Sequence, residues 1–167
     1  MKITDTLLFN QQLTDEEVIV QKSAMDYCQK ELQPRIIDAN RNEAFDKGIY
    51  KEMAEMGFLG APINGYGCAG VNYVSYGLIA REIEKVDSSY RSAYSVQTSL
   101  AMHAIYKFGS EEQKDFYLPQ MAKGELIGCF GLTESDAGSD PSSMKTNAVE
   151  KDNCYVLNGS KTWITNS

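Results

Sequence analysis

The chain has 167 residues, of which 43% are hydrophobic and 23% charged, and its formal net charge is −7 at pH 7. A chain of this length forms one domain, or one domain with part of another, and it can bury a core without disulfides or metals. The acidic balance argues against nucleic acid or an anionic membrane as the main partner. No apolar run reaches the ~20 residues that a membrane-spanning helix needs.

The four cysteines, Cys28, Cys68, Cys129 and Cys154, are scattered and show no C-x-x-C spacing. This pattern favours free thiols in a reducing compartment over disulfides, and we expect no metal site. No signal-like apolar segment follows Met1. We therefore expect a location in the bacterial cytoplasm, or in the mitochondrial matrix if the source is eukaryotic.

Hydrophobic periodicity predicts helices over residues 1–125. Thr14 and Glu17 have the spacing of a capping box, and the helix that they begin should kink or end at Pro34. Its predicted apolar face comprises Val18, Ile19, Met25, Leu32 and Ile36. Further helices are predicted at about 46–57, 72–87 and 89–107. A second capping box, Ser110 with Gln113, begins a fifth helix.

The pattern changes near residue 126, where 126–133 is short and apolar, as expected of a strand. The segment YVLNGSKTWIT contains two β-prone runs joined by Asn158 and Gly159, a pair that favours a type I′ hairpin turn. Strands without partners beyond Ser167 would leave an open edge. The chain is thus predicted to be mainly α, with the beginning of an incomplete β domain at 126–167.

Two features resemble functional sites but have simpler interpretations. Residues 65–70 match G-x-G-x-x-G and Asp87 follows, but Gly60 and Pro62 are incompatible with the buried strand that a dinucleotide site requires. We interpret the segment as a connection between helices. His103 lies beside an apolar helical stripe without a nucleophile motif, which favours a packed or surface residue over a catalytic base.

Residues 130–139 can carry chemistry. If 130–133 is extended, its backbone can meet the edge of a flat polar ring while the Thr133 hydroxyl donates to that ring. Gly138 allows close approach of the backbone, and Ser139 offers a hydroxyl and an N–H, which suits a phosphate. A strand-filling threonine and a simple turn at 134–141 are the alternatives.

Trp163 and Thr165 lie two residues apart and would share one face of a strand. An indole beside a hydroxyl suits the wall of an aromatic cofactor site, whereas a core tryptophan is the simpler interpretation. The residue pattern alone therefore indicates a cofactor cleft between helices and sheet as one of two interpretations.

The first signature segment, CFGLTESDAGSDPSSMKTNA (129–148), and the second, LNGSKTWITNS (157–167), resemble the flavin-binding signature of the acyl-CoA dehydrogenases in order and spacing. Upstream stretches such as EMGFLG and GYGCAGVNYVSYGLIAREIEKVDSSYRSAYSVQTSL are similar to the glutaryl-CoA dehydrogenases of that family. The resemblance implies a helical domain of the acyl-CoA dehydrogenase type at 1–125. It also implies the first strands of a β-barrel or sandwich middle domain, with a C-terminal helical domain beyond this N-terminal portion.

The resemblance implies FAD as cofactor. The residues that would contact it are Phe130, Gly131, Leu132, Thr133, Glu134, Gly138, Ser139, Trp163, Ile164 and Thr165. Thr165 would lie near the nitrogen that accepts hydride, and Ser139 would contact both the cofactor and acyl-CoA.

For the substrate, the resemblance places Arg91 and Ser92 in the acyl pocket, where a cation suits a chain that ends in a carboxylate. Lys47 falls where glutaryl-CoA dehydrogenases usually carry an arginine. Lysine keeps the positive charge but loses the bidentate fork. The alternatives are a surface cation at a helix start for Arg91 and a solvated lysine for Lys47.

The implied reaction removes the α-proton of glutaryl-CoA, transfers a β-hydrogen to the flavin, and ends in decarboxylation to crotonyl-CoA, with electrons passing to an electron-transfer flavoprotein. The base, a glutamate of the C-terminal domain, has no match in this chain, and Glu134 is not expected to replace it. We therefore expect the chain alone to be inactive and to bind FAD weakly or not at all, and the full-length enzyme to be a homotetramer. The alternatives are another acyl-CoA dehydrogenase or oxidase of the superfamily, and a non-catalytic helical interaction module.

Overall fold

A computed structural model describes residues 7–167, which contain seven α-helices and one β hairpin. The helices are α1 (Asp15–Tyr27), α2 (Ile36–Arg41), α3 (Ile49–Glu55), α4 (Tyr73–Glu84), α5 (Ser88–Ser95), α6 (His103–Phe108) and α7 (Glu111–Ala122). A π-helical segment, Cys28–Leu32, continues α1, and a second, Val96–Met102, joins α5 to α6. The predicted mainly α class is confirmed, and the division of the chain at residue 125 stays a prediction. The expectation about the segment after Met1 concerns residues outside the described part.

Both predicted capping boxes are confirmed. The Thr14 hydroxyl accepts the Glu17 N–H at 3.3 Å while the Thr14 N–H donates to the Glu17 carboxylate at 2.8 Å. Ser110 and Gln113 exchange the same two bonds at 3.2 and 2.9 Å. Because each box satisfies N–H groups that lack helical partners, α1 and α7 begin where the sequence predicts.

The apolar face predicted for the first helix is wrong at three positions. Leu32 is buried and Ile36 half-buried, whereas Val18, Ile19 and Met25 are exposed. The helix does end at the turn that contains Pro34, as predicted.

Glu17 explains why α1 buries a different face from the predicted one. It is buried, and its carboxylate accepts the Thr14 N–H and the Asn72 side-chain amide, each at 2.8 Å. These two bonds lower the pKa of the Glu17 carboxyl. Since Asn72 caps α4, the bond turns the Glu17 face of α1 toward α4. Hydrophobic periodicity treats a glutamate as solvent-facing and therefore misses this face.

The seven α-helices and the two π-helical segments, together called the helical layer, share one continuous hydrophobic core. The helix predicted at 89–107 is confirmed in extent but is divided into α5, a π-helical segment and α6. The largest fully buried side chains include Leu32, Ile49, Met53, Ile83, Tyr90, Tyr94, Met102 and Leu118. This core holds α3 and α5 in fixed positions, and the candidate site lies beside them.

The glycine-rich segment connects α3 to α4, as predicted. The Cys68 N–H donates to the Gly65 carbonyl at 2.9 Å in a turn, and no strand precedes it within residues 7–167. Asp87 caps α5 by accepting the Ser89 N–H at 2.8 Å. A dinucleotide site is thereby excluded at these residues.

The predicted hairpin is right in its first run, which lies in the strand at 154–158, and wrong in its turn and its second run. β1 (Asn147–Lys151) and β2 (Cys154–Asn158) form an antiparallel hairpin in which Lys151 pairs with Cys154. Its turn therefore lies at Asp152, which has φ 55°, and the residue after it. Asp and Asn both tolerate this left-handed conformation, so this turn competes successfully with the predicted one at Asn158 and Gly159.

Segment 126–133 forms no strand in the described part of the chain. Its backbone makes a single hydrogen bond to the backbone of segment 157–167, from the Thr162 N–H to the Thr133 carbonyl at 3.0 Å, which is not a ladder. Among residues 7–167 no helix is long and apolar enough to cross a membrane, and all four cysteines are free.

Candidate functional site

The two signature segments lie against each other. Besides the bond between Thr162 and Thr133, the Lys161 ammonium donates to the Leu132 carbonyl at 2.8 Å. A Cβ at Gly131 would lie 3.5 Å from the Lys161 side chain. The segments that the sequence predicts to act together are therefore neighbours, although they form no sheet.

Glu134 closes the first signature segment into a loop. Its carboxylate accepts the backbone N–H of Lys145 at 2.8 Å, that of Thr146 at 3.0 Å, and the Lys161 ammonium at 2.9 Å. Donation from Thr146, Lys145 and Lys161 lowers the pKa of the Glu134 carboxyl to about 2. A carboxylate so weakly basic is poorly suited to proton abstraction, and the absence of the base from this chain stays a prediction.

Gly138 and Ser139 lie at the exposed tip of this loop. A Cβ at Gly138 would meet no atom within 4 Å, and its φ is not in the left-handed range. The chain itself therefore does not require glycine here, and the backbone is open to approach by another molecule.

Trp163 is not a core residue. Its side chain is 93% exposed, and its backbone has φ 56°, a conformation that bulky residues rarely adopt. Phe130 and Leu132 are also exposed. Ile164 is half-buried between exposed neighbours. Both signature segments therefore present aromatic and apolar side chains to solvent.

A cavity of about 740 Å³ lies between the helical layer and the end of the second signature segment. Lys47, Ser92 and Thr165 line it, so two predicted substrate residues and one predicted cofactor residue are brought together. Phe45 and Tyr50 form part of its apolar wall, with their ring centroids 6.1 Å apart.

Arg91 lies outside this cavity, on the side of α5 that faces α4. Its Nε donates to Glu84 at 2.7 Å and a terminal nitrogen donates to the Ser95 hydroxyl at 3.2 Å. Hydrogen bonds from Ser88 and Arg91 lower the pKa of Glu84. The Arg91 charge is thus balanced within the helical layer, and Lys47 is the charged side chain that lines the cavity.

Asn166 was not predicted, although it lies at the centre of the contact between the second signature segment and the helices. Its side-chain oxygen accepts the Tyr50 hydroxyl at 2.7 Å, and its amide donates to the carbonyls of Ala93 and Gly128, each at 3.3 Å. Burial raises the pKa of the Tyr50 hydroxyl, which donates this bond in its protonated form.

Two family models match consecutive parts of the chain. The family model for the N-terminal domain of acyl-CoA dehydrogenases matches residues 14–125, and that for the middle domain matches residues 129–167. The chain belongs to the acyl-CoA dehydrogenase family. This is a family of oxidoreductases.

Relatives in this family cover nearly all of the chain. An acyl-CoA dehydrogenase of Bacillus subtilis is 39% identical over 155 residues, which are 92% of this chain and 41% of the relative. A crystal structure of a glutaryl-CoA dehydrogenase from Mycobacterium smegmatis in complex with FADH2 is 42% identical, with a TM-score of 0.91 over 96% of this chain and 41% of that one.

A chain in the solved structure of an electron transferring flavoprotein from Acidaminococcus fermentans is 38% identical, with a TM-score of 0.87 over 92% of this chain and 40% of that one. The chain thus spans about two-fifths of the length of these three relatives.

Proposed function

We propose that this chain supplies the helical layer and one wall of the flavin site of an FAD-dependent dehydrogenase that acts on glutaryl-CoA. The observation that carries the proposal is the cavity that Lys47, Ser92 and Thr165 line together. A lone cation and hydroxyl groups in a cavity with apolar walls suit a short acyl chain that ends in a carboxylate.

The residues of the two signature segments fit a flavin. Trp163 presents an exposed indole face, and the open backbone at Gly138 leaves room for a cofactor phosphate. Thr133 is half-buried, with its carbonyl already bonded to Thr162, so its side chain remains for the ring edge. When bound, FAD accepts two electrons and one hydrogen from the acyl chain.

The residues of this chain would bind and orient the substrate. Lys47 would pair with the distal carboxylate, Ser92 would donate a hydrogen bond, and Phe45 would exclude water from the acyl chain. No residue of the chain matches the family's base, and the low pKa of Glu134 makes it a poor substitute. We therefore propose that the chain by itself does not turn over glutaryl-CoA.

The similarity to a chain in an electron transferring flavoprotein structure supports that class of protein as electron acceptor. Homotetrameric assembly of the whole enzyme follows from the family resemblance and is part of the proposal. We also propose a reducing compartment as the location, and the free cysteines support it.

Calorimetric titration of the FAD-supplemented chain with glutaryl-CoA and with valeryl-CoA, which has the same carbon number but no distal carboxylate, tests the proposal. We expect glutaryl-CoA to bind at least tenfold more tightly. Lys47→Met should abolish this preference, whereas Lys51→Met, an equal charge change in α3 away from the cavity, should preserve it. Equal affinities in the unaltered chain would favour another acyl-CoA, and binding of neither thioester would favour the interaction module.

A further inference from the structure

Gln97 holds the chain where it leaves the helical layer. It is fully buried in the π-helical segment Val96–Met102, and all three of its hydrogen bonds go to backbone groups. Its amide donates to the carbonyls of Met121 at 3.2 Å and Leu126 at 2.9 Å, and its oxygen accepts the Gly128 N–H at 2.7 Å. One side chain thus fixes the path from α7 into the first signature segment.

Asn166 bonds the other side of the same residue, Gly128. The Gly128 carbonyl accepts the Asn166 amide while the Gly128 N–H is bonded to Gln97. Gly128 has no space for a side chain, because a Cβ would lie 2.6 Å from that of Ala101 and 2.7 Å from the Met121 methyl group. Asn166 also follows Thr165 directly and is bonded to Tyr50, so the second signature segment meets the cavity wall here, and Gly128 leads from this point into the first.

We propose that Gln97 and Asn166 are positioning residues that fix the two signature segments relative to each other and to the wall of the acyl cavity. Gln97 is fully buried and does not line the cavity, whereas Asn166 lines it as well as holding Gly128. Each acts through the backbone of Gly128, which lies just before the residues predicted to meet the flavin. The relevance to catalysis rests on the proposed function, whereas the positioning itself is measurable without cofactor.

Amide hydrogen exchange of the purified chain, followed by NMR, tests this. The reporter is the Thr162 N–H, which donates to Thr133 and touches neither side chain. We compare Gln97→Met, Asn166→Gly, which keeps the left-handed backbone of φ 69° accessible, and Thr98→Val. Thr98→Val is the matched control, because Thr98 is equally buried in the same π-helical segment but accepts the Gly60 N–H.

We expect exchange at Thr162 to be at least tenfold faster in Gln97→Met and in Asn166→Gly than in Thr98→Val. The comparison is made after correction for the loss of melting temperature in each variant. Equal acceleration in all three variants would mean general destabilisation and would overturn the proposal. If Gln97→Met does not fold, Asn166→Gly decides the question alone, and unchanged exchange in that variant overturns the proposal.

The affinity for FAD provides a second measurement, which tests whether the positioning affects the flavin site. In titrations with FAD, the dissociation constant should rise at least fivefold in Asn166→Gly and less than twofold in Thr98→Val. If the unaltered chain binds FAD too weakly to titrate, as expected of the chain alone, the exchange measurement decides the role of Gln97 and Asn166 by itself.

Discussion

The Lys161 ammonium lies 2.9 Å from the Glu134 carboxylate and 2.8 Å from the Leu132 carbonyl. This one side chain therefore joins the second signature segment to both the backbone and the loop-closing carboxylate of the first. The pair is largely shielded from solvent, since the Glu134 side chain is only 9% exposed. Removing one partner would leave a shielded charge without compensation, which costs more than loss of an exposed surface pair.

The stability contributed by Glu134 should depend on pH. Its pKa in the folded chain is about 2, below the ordinary 4.5, so folding favours the ionised form. This contribution is complete above pH 4.5 and is lost as the pH falls toward 2. Thermal melts should show Glu134→Gln less stable than the unaltered chain near neutral pH, with the difference shrinking at acidic pH. Glu150→Gln, at an exposed position of β1, should show little difference throughout.

Substitution of two glycines of the signature segments by alanine should change stability by different amounts. Gly159 has φ 150°, and a Cβ there would lie 2.7 Å from the Thr146 Cα. Gly159→Ala should therefore lower the free energy of unfolding in urea by about 1–3 kcal/mol. Gly138→Ala should change it by less than about 0.5 kcal/mol, because its position is open. A large stability loss in Gly138→Ala would contradict the loop geometry described above.

Trp163 should report directly on the flavin site. It is the single tryptophan of the chain and is 93% exposed, so its fluorescence should resemble that of a water-exposed indole. Adding FAD should quench this emission, since the indole would face the bound ring. Trp163→Phe should leave the free energy of unfolding within about 0.5 kcal/mol, because no core contact is lost. Blue-shifted emission in the free chain would contradict this placement, as would FAD binding that is detected by an independent method but leaves the emission unchanged.

The four thiols should differ in reactivity at pH 8. Burial, aided by Glu82, raises the pKa of Cys28 to about 12, and burial raises that of Cys68 to about 11. Because the thiolate is the reactive form, a disulfide reagent such as Ellman's reagent should label these two only after unfolding. Cys129 and Cys154 are exposed and should react at once.

The Cys129→Ser, Cys154→Ser double variant provides the control for this labelling. It should show no rapid phase while retaining the slow reaction on unfolding. A rapid phase of more than two thiols in the unaltered chain would mean that Cys28 or Cys68 is not protected.

The sequence predicts those features that depend on residues close together in the chain. The Thr14 and Ser110 capping boxes are examples, since each joins residues three apart. The π-helical segment Val96–Met102 is not encoded in this way. In this segment Gln97 bonds backbone groups that lie 24 to 31 residues away in the chain. Such a conformation depends on tertiary packing and has no local sequence signal.

The β region shows the same limit. Asn158 and Gly159 form the better hairpin dipeptide, but the turn at Asp152 allows five pairs from Asn147 to Lys151 to align with β2. Turn preference is a local quantity, whereas ladder register is a property of both strands. The prediction of a hairpin is therefore right for the strand at 154–158 and wrong for its turn and its partner strand.

The candidate site was predictable in part. Resemblance identified Lys47, Ser92 and Thr165, which line one cavity, and it also identified Arg91, which lies outside it. Asn166 carries no local signal, because its partners are reached only when the helical layer and the chain's last residues meet.

The bond between Tyr50 and Asn166 joins residues 116 positions apart. Closing so long a loop costs more entropy than forming contacts within a helix or between consecutive helices, and non-local contacts form slowly. We therefore expect the helical layer to assemble first during folding, with the cofactor wall joining it in a later step. The cavity that unites the two would then be among the last features of the native chain to appear.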